Sequence, residues 1–307
     1  MSTNAPREFP FDALGSDCVL HLCGPAAQVE AAATAAIDEV LRIERRYSRY
    51  RDDSVLSAIN RAAALGAPEG VEVDEETAAL LDCAFALHGL SGGLFDVTSG
   101  LLRRVWSFAT PVLPEPAAIA ALLPGIGMDK LDWRSPRLGF HRPGLELDFG
   151  GLGKEYAVDR VAEVCAAHGI ARGLVDLGGD LRVLGPPEGA PAWPVGIRDP
   201  DAPETAICVV DMVSGALATS GDYERFIDVD GRRYCHILDP RTGWPAQGLR
   251  SVSVRAERCL LAGGLTTVAM LMGEAGKAFL ARLGVDHLWI DASGAVGGPL
   301  GRQPLRP

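Results

Sequence analysis

The chain contains no apolar run long enough to cross a membrane as a helix. Its most apolar segment, about 259–272, is broken by glycines and two threonines. Positive charge is scarce as well: 29 Lys and Arg residues face 40 Asp and Glu, a formal net charge of −11. Such a chain repels phosphate backbones, which argues against nucleic-acid binding. An anionic ligand would then need local help from a lysine, backbone N–H groups or a metal. The cysteines number seven, and no CxxC or zinc-type spacing joins them. Most sit in apolar runs and read as buried thiols in a reducing compartment. The opening residues, MSTNAPREFPFDALGS, have neither a basic n-region nor an apolar h-region. A soluble, cytoplasmic protein without a membrane anchor is expected. No internal repeat is present, and neither GxxxxGK[ST] nor GxGxxG occurs.

What is there can build a large core: 307 residues, 48% of them hydrophobic. Residues 17–23 alternate and read as a strand. Pro25 opens a long amphipathic helix over 25–47, rich in alanine. A second helix follows Asp53-Ser54 and reaches Arg61, and a third covers 74–89 behind Asp74. Residues 110–125 form a connector with a short helix. From 144 onward a strand, a glycine turn and a helix ending at Gly169 are expected. Residues 173–185 read as a strand broken by Gly178-Gly179, a pair that implies a bulge or a close backbone approach. Short strands then alternate with turns, followed by helices at about 259–272 and 274–283 and a last strand in DHLWIDASG. The expected fold class is α+β, with mixed sheets and packed helices, in a single domain over 1–307. That domain has a helix-rich part at about 10–125, a strand-rich part at about 126–292 and a short tail at 293–307.

Chemistry concentrates in a few segments. In CHILDPRTG, 235–243, His236 precedes an Asp-Pro corner that would pin it; the plain alternative is a histidine satisfied by a neighbour. In RYSRYRDDSVLSAINR, 46–61, Ser54 suits a helix cap, Asn60 could satisfy backbone, and Tyr50 could offer its ring to a planar ligand. GGLFDVTSG, 92–100, places Phe95 and Asp96 after flexible glycines, where a carboxylate often accepts its own loop's N–H groups. ELDFGGLGKEYAVDR, 146–160, delivers Asp148, then a glycine turn, then a helix bearing Lys154; glycines before a helix N-terminus let N–H groups approach a phosphate. VDLGGDLRV and ALATSGDYERF complete the set.

Taken in order, Y-S-x-Y-x-x-D-S-x-L…N, G-x-F-D-x-T-x-G, D-x-G-G-x-G-K-x-Y-A-V-D, L-G-G-D, A-T-S-G-D-Y and H-I-x-D-P-x-T-G resemble the ApbE family of FAD:protein FMN transferases, over roughly residues 10–290. The resemblance implies an ApbE-like fold and an enzyme that cuts the FAD pyrophosphate. It would move FMN to a threonine or serine of an acceptor flavoprotein and release AMP, assisted by magnesium. It implies FAD-site roles for Leu14, Tyr50, Phe95, Asp96, Asp148, Lys154 and His236. His236 would act as general base or bond the diphosphate. Metal ligands would be the backbone oxygen of Gly151 and the hydroxyl of Thr267. The chain also departs from the family. In AGGLTTVAM, 262–270, Gly263 stands where an aspartate is usual, so restoring Asp there is expected to raise magnesium-dependent activity. Glu155 stands where a glycine is usual, and could compete for the phosphate or reach towards the metal. Leu14 replaces a typical methionine, a mild apolar exchange. Glu257 is the nearest other carboxylate but cannot be assumed to substitute. Two alternatives follow from Gly263: a non-catalytic FAD-binding protein, or an FAD pyrophosphatase. The acceptor is expected in the cytoplasm or on the cytoplasmic face of a membrane redox protein.

Overall fold

A computed structural model of the chain describes residues 5–202 and 204–302. Strands β1 (Arg7–Ala13) and β2 (Ser16–Cys23) form an N-terminal hairpin. Its two-residue turn, Leu14-Gly15, has φ of 57° and 69°, the left-handed geometry that matches the twist of a tight hairpin. Leucine rarely adopts it, and the Leu14 N–H is held by Glu44 Oε1 at 2.8 Å.

Helices α1 (Ala26–Tyr47) and α2 (Val55–Leu65) follow, then β3 (Val71–Glu72) and α3 (Glu75–Leu90). The expected caps are present: Ser54 Oγ accepts from the Ser57 N–H at 2.9 Å and Asp74 Oδ1 from the Thr77 N–H at 3.0 Å. A 3₁₀ helix spans Val97–Arg104, and α4 (Pro116–Leu122) is the short helix of the connector. Strands β4 (Leu131–Arg134) and β5 (Arg137–Phe140) join β3 in a small three-stranded sheet with β5 at its centre. Next come α5 (Gly153–Ala167), β6 (Arg172–Leu177), β7 (Asp180–Gly185), β8 (Trp193–Arg198), β9 (Ala206–Met212) and β10 (Gly215–Gly221). The chain continues with β11 (Phe226–Val229), β12 (Arg232–Cys235), β13 (Leu249–Ala256), α6 (Cys259–Met272), α7 (Glu274–Leu283), β14 (Asp286–Asp291) and β15 (Val296–Gly297). The tail expected at 293–307 is described to residue 302, and 303–307 lie outside the described residues.

The principal sheet has the order β1-β2-β6-β7-β10-β13-β14-β15, and every pairing in it is antiparallel. The architecture is α+β. On one face Leu20 and Leu22 of β2, Val175 of β6, Ala218 of β10 and Val254 of β13 are buried in a core shared with α1, α5 and α6. Each buried valine or leucine side chain contributes roughly 1.5–3 kcal/mol. On the other face Val183, Leu217 and Ile290 pack on Val195 and Val210 of the β8–β9 ribbon. Helix α6 is buried almost all round, which is why its sequence lacks an amphipathic stripe. Its N-terminus is capped from α5: Asp159 accepts from the N–H groups of Cys259 and Leu260 at 2.9 and 3.0 Å.

Two local expectations differ. Gly178-Gly179 is not a bulge but a hairpin turn between β6 and β7, with φ of 62° and 88°. The strand expected before the glycine turn is extended but belongs to no ladder. Asn60 pins it instead, donating to the Leu147 carbonyl at 2.9 Å and accepting from the Leu147 N–H at 2.7 Å, while the Asp148 N–H reaches Val97 O at 2.8 Å. One side-chain amide does there what a neighbouring strand would do.

Candidate functional site

A cleft of about 570 Å³ opens between the glycine turn, α6, the end of β10 and the segment after β12. That is ample for a small-molecule ligand. Every position expected in the FAD site or as a metal ligand lines it: Leu14, Tyr50, Phe95, Asp96, Asp148, Gly151, Lys154, His236 and Thr267. A more open groove of about 650 Å³ holds Glu257 and none of these residues. Glu257 therefore does not line the cleft that holds Gly151 and Thr267.

His236 follows directly on β12. Its backbone N–H donates to Arg225 O at 2.9 Å, and its Nδ1 lies 3.2 Å from the same carbonyl. A carbonyl can only accept, so we assign the ring proton to Nδ1, which leaves the Nε2 lone pair free. Beyond it, the Gly243 N–H closes a turn on Asp239 O at 2.7 Å, and the Trp106 indole donates to Gly243 O at 2.8 Å. The Asp-Pro corner thus fixes the segment as expected. Burial, followed by the charges of Arg103, Arg225 and Lys154, pulls the imidazole down to about 4. At neutral pH it is an uncharged acceptor in a positive field.

Asp148 gathers cations rather than facing the cleft alone. Its Oδ2 pairs with Arg49 and with Arg103 Nε, the latter at 2.8 Å, and its Oδ1 accepts from the Gly150 N–H at 2.9 Å. Arg49 also donates to the Tyr50 hydroxyl at 2.6 Å and stacks 4.7 Å from the centre of that ring. Tyr50 is 82% exposed, so its ring stands at the rim, free to meet a planar group. Phe95 is buried under the glycine turn, its ring 3.4 Å from where a Cβ on Gly151 would sit.

Asp96 lines the cleft, yet its oxygens are engaged within the protein. Oδ1 accepts from the Thr98 N–H at 2.8 Å and the Thr98 hydroxyl at 2.6 Å, and Oδ2 from the Met128 N–H at 3.0 Å. The loop-organising alternative describes these bonds. Lys154 pairs with the buried Asp180 at 2.9 Å and donates to Gly178 O at 3.2 Å. Burial opposes its charge, but Asp180 and Glu155 outweigh that and hold the ammonium above its ordinary range.

Thr267 and Gly151 face each other across the cleft floor: a Cβ on Gly151 would lie 3.9 Å from Thr267 Cγ2. Ser220 Oγ stands 3.4 Å from Thr267 Oγ1. Beside them is Glu155, whose Oε2 is buried with no hydrogen-bond partner. Burial first, then Asp180, raises this carboxyl to about 7. A Cβ on Gly263 would fall 2.4 Å from Glu155 Cγ and 2.7 Å from Oε1. The expectation that aspartate simply drops into position 263 therefore needs revision, because Glu155 already fills that space. Among the described residues no group of three or more His, Cys, Asp or Glu side chains is placed to hold a metal. A cation at the cleft floor would depend on hydroxyl, carbonyl and phosphate oxygens besides one carboxylate. That hard-oxygen set, with an unpaired carboxylate oxygen in it, fits magnesium.

Arg49, Arg103, Arg225 and Asp180 escaped the sequence-based selection. Arg49 lay between two motif residues and Asp180 closed the L-G-G-D motif, so both were visible as positions though not as partners. Arg103 and Arg225 carried no local signal.

A neutral histidine among cations, next to a glycine turn and an aromatic rim, is chemistry that suits a phosphate ester with a planar group. The chain belongs to the ApbE family, whose sequence pattern matches residues 14–289. Among similar proteins, the FAD:protein FMN transferase of Treponema pallidum is 35% identical over 287 residues, covering 87% of this chain and 78% of the relative. That of Vibrio cholerae is 34% identical over 245 residues, covering 78% and 72%. The crystal structure of the ApbE protein of Thermotoga maritima superposes with a TM-score of 0.87 at 32% identity, covering 95% of this chain and 96% of its own. The flavin transferase ApbE of Vibrio cholerae gives 0.83 at 28% identity, covering 96% of each chain.

Proposed function

We propose that this protein is an FAD:protein FMN transferase that moves the FMN half of FAD to a threonine or serine hydroxyl of an acceptor flavoprotein and releases AMP. The observation that carries this reading is the environment of His236, an uncharged base with a free Nε2 facing a cleft where Arg103, Arg225 and Lys154 set the local field. An FAD diphosphate placed there gains these cations and the glycine-turn amides. The isoalloxazine or adenine ring would find the exposed face of Tyr50 at the rim. The acceptor hydroxyl oxygen attacks the FMN-side phosphorus and its proton passes to His236 Nε2. The phosphoanhydride bond breaks, and its electron pair leaves with AMP. Asp148 acts by holding Arg49 and Arg103 in position, and Lys154, steadied by Asp180, adds a fixed charge. Magnesium, when bound, neutralises phosphate charge; the Gly151 carbonyl, the Thr267 hydroxyl and a nearby carboxylate are the groups that would hold it.

We further propose that the chain works as one domain, since its largest core cluster runs from Ala13 to Leu280. We place it in the cytoplasm, where seven free thiols would stay reduced. No helix among the described residues is long and apolar enough to cross a membrane.

The test is incubation of the purified chain with FAD, magnesium and a flavinylatable acceptor domain, read by intact mass and AMP release. The expected result is an acceptor carrying one FMN, with AMP in equal amount. Free FMN with an unmodified acceptor would make the protein a pyrophosphatase. Intact, bound FAD, with a known transferase labelling the same acceptor, would make it a binding protein.

A further inference from the structure

We infer that Glu155 supplies the carboxylate of a divalent-cation site on the cleft floor, projecting from α5 into space that exists because residue 263 of α6 has no side chain. The inference deepens the transferase reading and rests on its use of a metal.

The argument begins with an unpaid polar atom. Glu155 is 7% exposed, and its Oε2 has no hydrogen-bond partner. Buried polar oxygens in native proteins are almost always bonded, and an exception calls for an ion, a water or a catalytic role. The position of Glu155 favours an ion. It lines the same cleft as Thr267, Ser220 and Gly151. A Cβ on Gly151 would reach van der Waals contact with Thr267 Cγ2, and the Ser220 and Thr267 hydroxyls lie 3.4 Å apart. Carboxylate, hydroxyl and carbonyl groups thus line one cleft, and hard cations select that donor chemistry.

Gly263 explains how the carboxylate gets there. Thr267, which lines the cleft, lies four residues after Gly263, so the two share one face of α6, and Gly263 faces Glu155. Any side chain at 263 would collide with Glu155, at 2.4 Å from Cγ and 2.9 Å from Cδ. With Glu155 in this position, a residue larger than glycine at 263 requires its side chain to shift. Glu155 belongs to the first turn of α5, where the helix N-terminus favours a negative charge. Lys154 is committed to Asp180, so it does not neutralise Glu155 by direct contact.

The test uses Mn²⁺ as probe and the full-length chain loaded with FAD. Binding is read from loss of the free aqueous Mn²⁺ signal in electron paramagnetic resonance, and FAD affinity is followed in the same samples by flavin fluorescence. Glu155→Gln is expected to weaken Mn²⁺ binding at least about tenfold while leaving FAD bound. Glu155→Gly should behave likewise, and adding Gly263→Asp to it should recover Mn²⁺ affinity to within about threefold of the parent by presenting the carboxylate from the other helix. Unchanged Mn²⁺ affinity in Glu155→Gln would overturn the inference and leave the metal reading standing. A parent chain that binds no Mn²⁺ even with FAD would remove the metal reading, and the inference with it.

Discussion

His236 and Glu155 lie in one cleft, and burial pushes each towards its uncharged form. The imidazole falls to about 4 and the carboxyl rises to about 7. The shared cause is lost solvation, but the neighbours differ. Around His236 the influential side chains are Arg103, Arg225 and Lys154; around Glu155 the strongest is Asp180. The cleft is thus polarised, one end suited to an anion and the other to a cation. A nucleotide diphosphate with a divalent metal would satisfy both ends together, which neither partner does alone.

The change with the largest expected effect is at the histidine end. His236→Ala should lower flavin transfer by about 10²–10⁴, the usual range for a lost general base, with FAD affinity changed less than about tenfold. Equal losses in transfer and in FAD binding would reduce His236 to a ligand for the diphosphate and remove half of the contrast. At the carboxyl end, Gly263→Asp alone should destabilise the metal-free protein by ~1–3 kcal/mol through overpacking. Replacing glycine inside a helix recovers at most about 1 kcal/mol of that. Urea melts would show this, and combining the change with Glu155→Gly should restore the midpoint. A stable single variant would mean that Glu155 moves aside freely.

The smallest effect is in pH dependence. The base must be unprotonated, so activity falls as pH drops through its pKa. At saturating magnesium, kcat/KM should hold until pH approaches about 4, the value for the free chain. The kcat limb should lie higher, because bound phosphates favour the imidazolium. Coincident limbs near the ordinary histidine value of about 6.5 would show that His236 is not desolvated, or is not the base.

Much of the site could be read along the chain. The helix starts at Ser54 and Asp74 and the rigid corner after His236 follow from local chemistry, and the structure shows each of them; Asn60 was legible as a residue able to satisfy backbone, but its partner Leu147 lies far along the chain. The clustering of nine selected residues in one cleft follows from motif order once the family is known. Other features depended on partners far away. That Asp96 also accepts from the distant Met128 N–H, and that Asp148 collects Arg49 and Arg103, are long-range facts with no local signature. Gly178-Gly179 was legible as a special backbone position, but bulge and hairpin turn differ only in what the flanking strands pair with.

By itself the sequence determined which elements form, because caps, glycine turns and hydrophobic period act over a few residues. It also determined the family and nine of the residues that line the cleft. Only the tertiary structure decided how β1 and β2 join β6 at the sheet edge, and which charges are paired. It alone showed that the glycine at 263 and the glutamate at 155 occupy the same space. Those residues stand more than a hundred positions apart. Their relation is one of volume and desolvation, which exist only once α5 and α6 have packed.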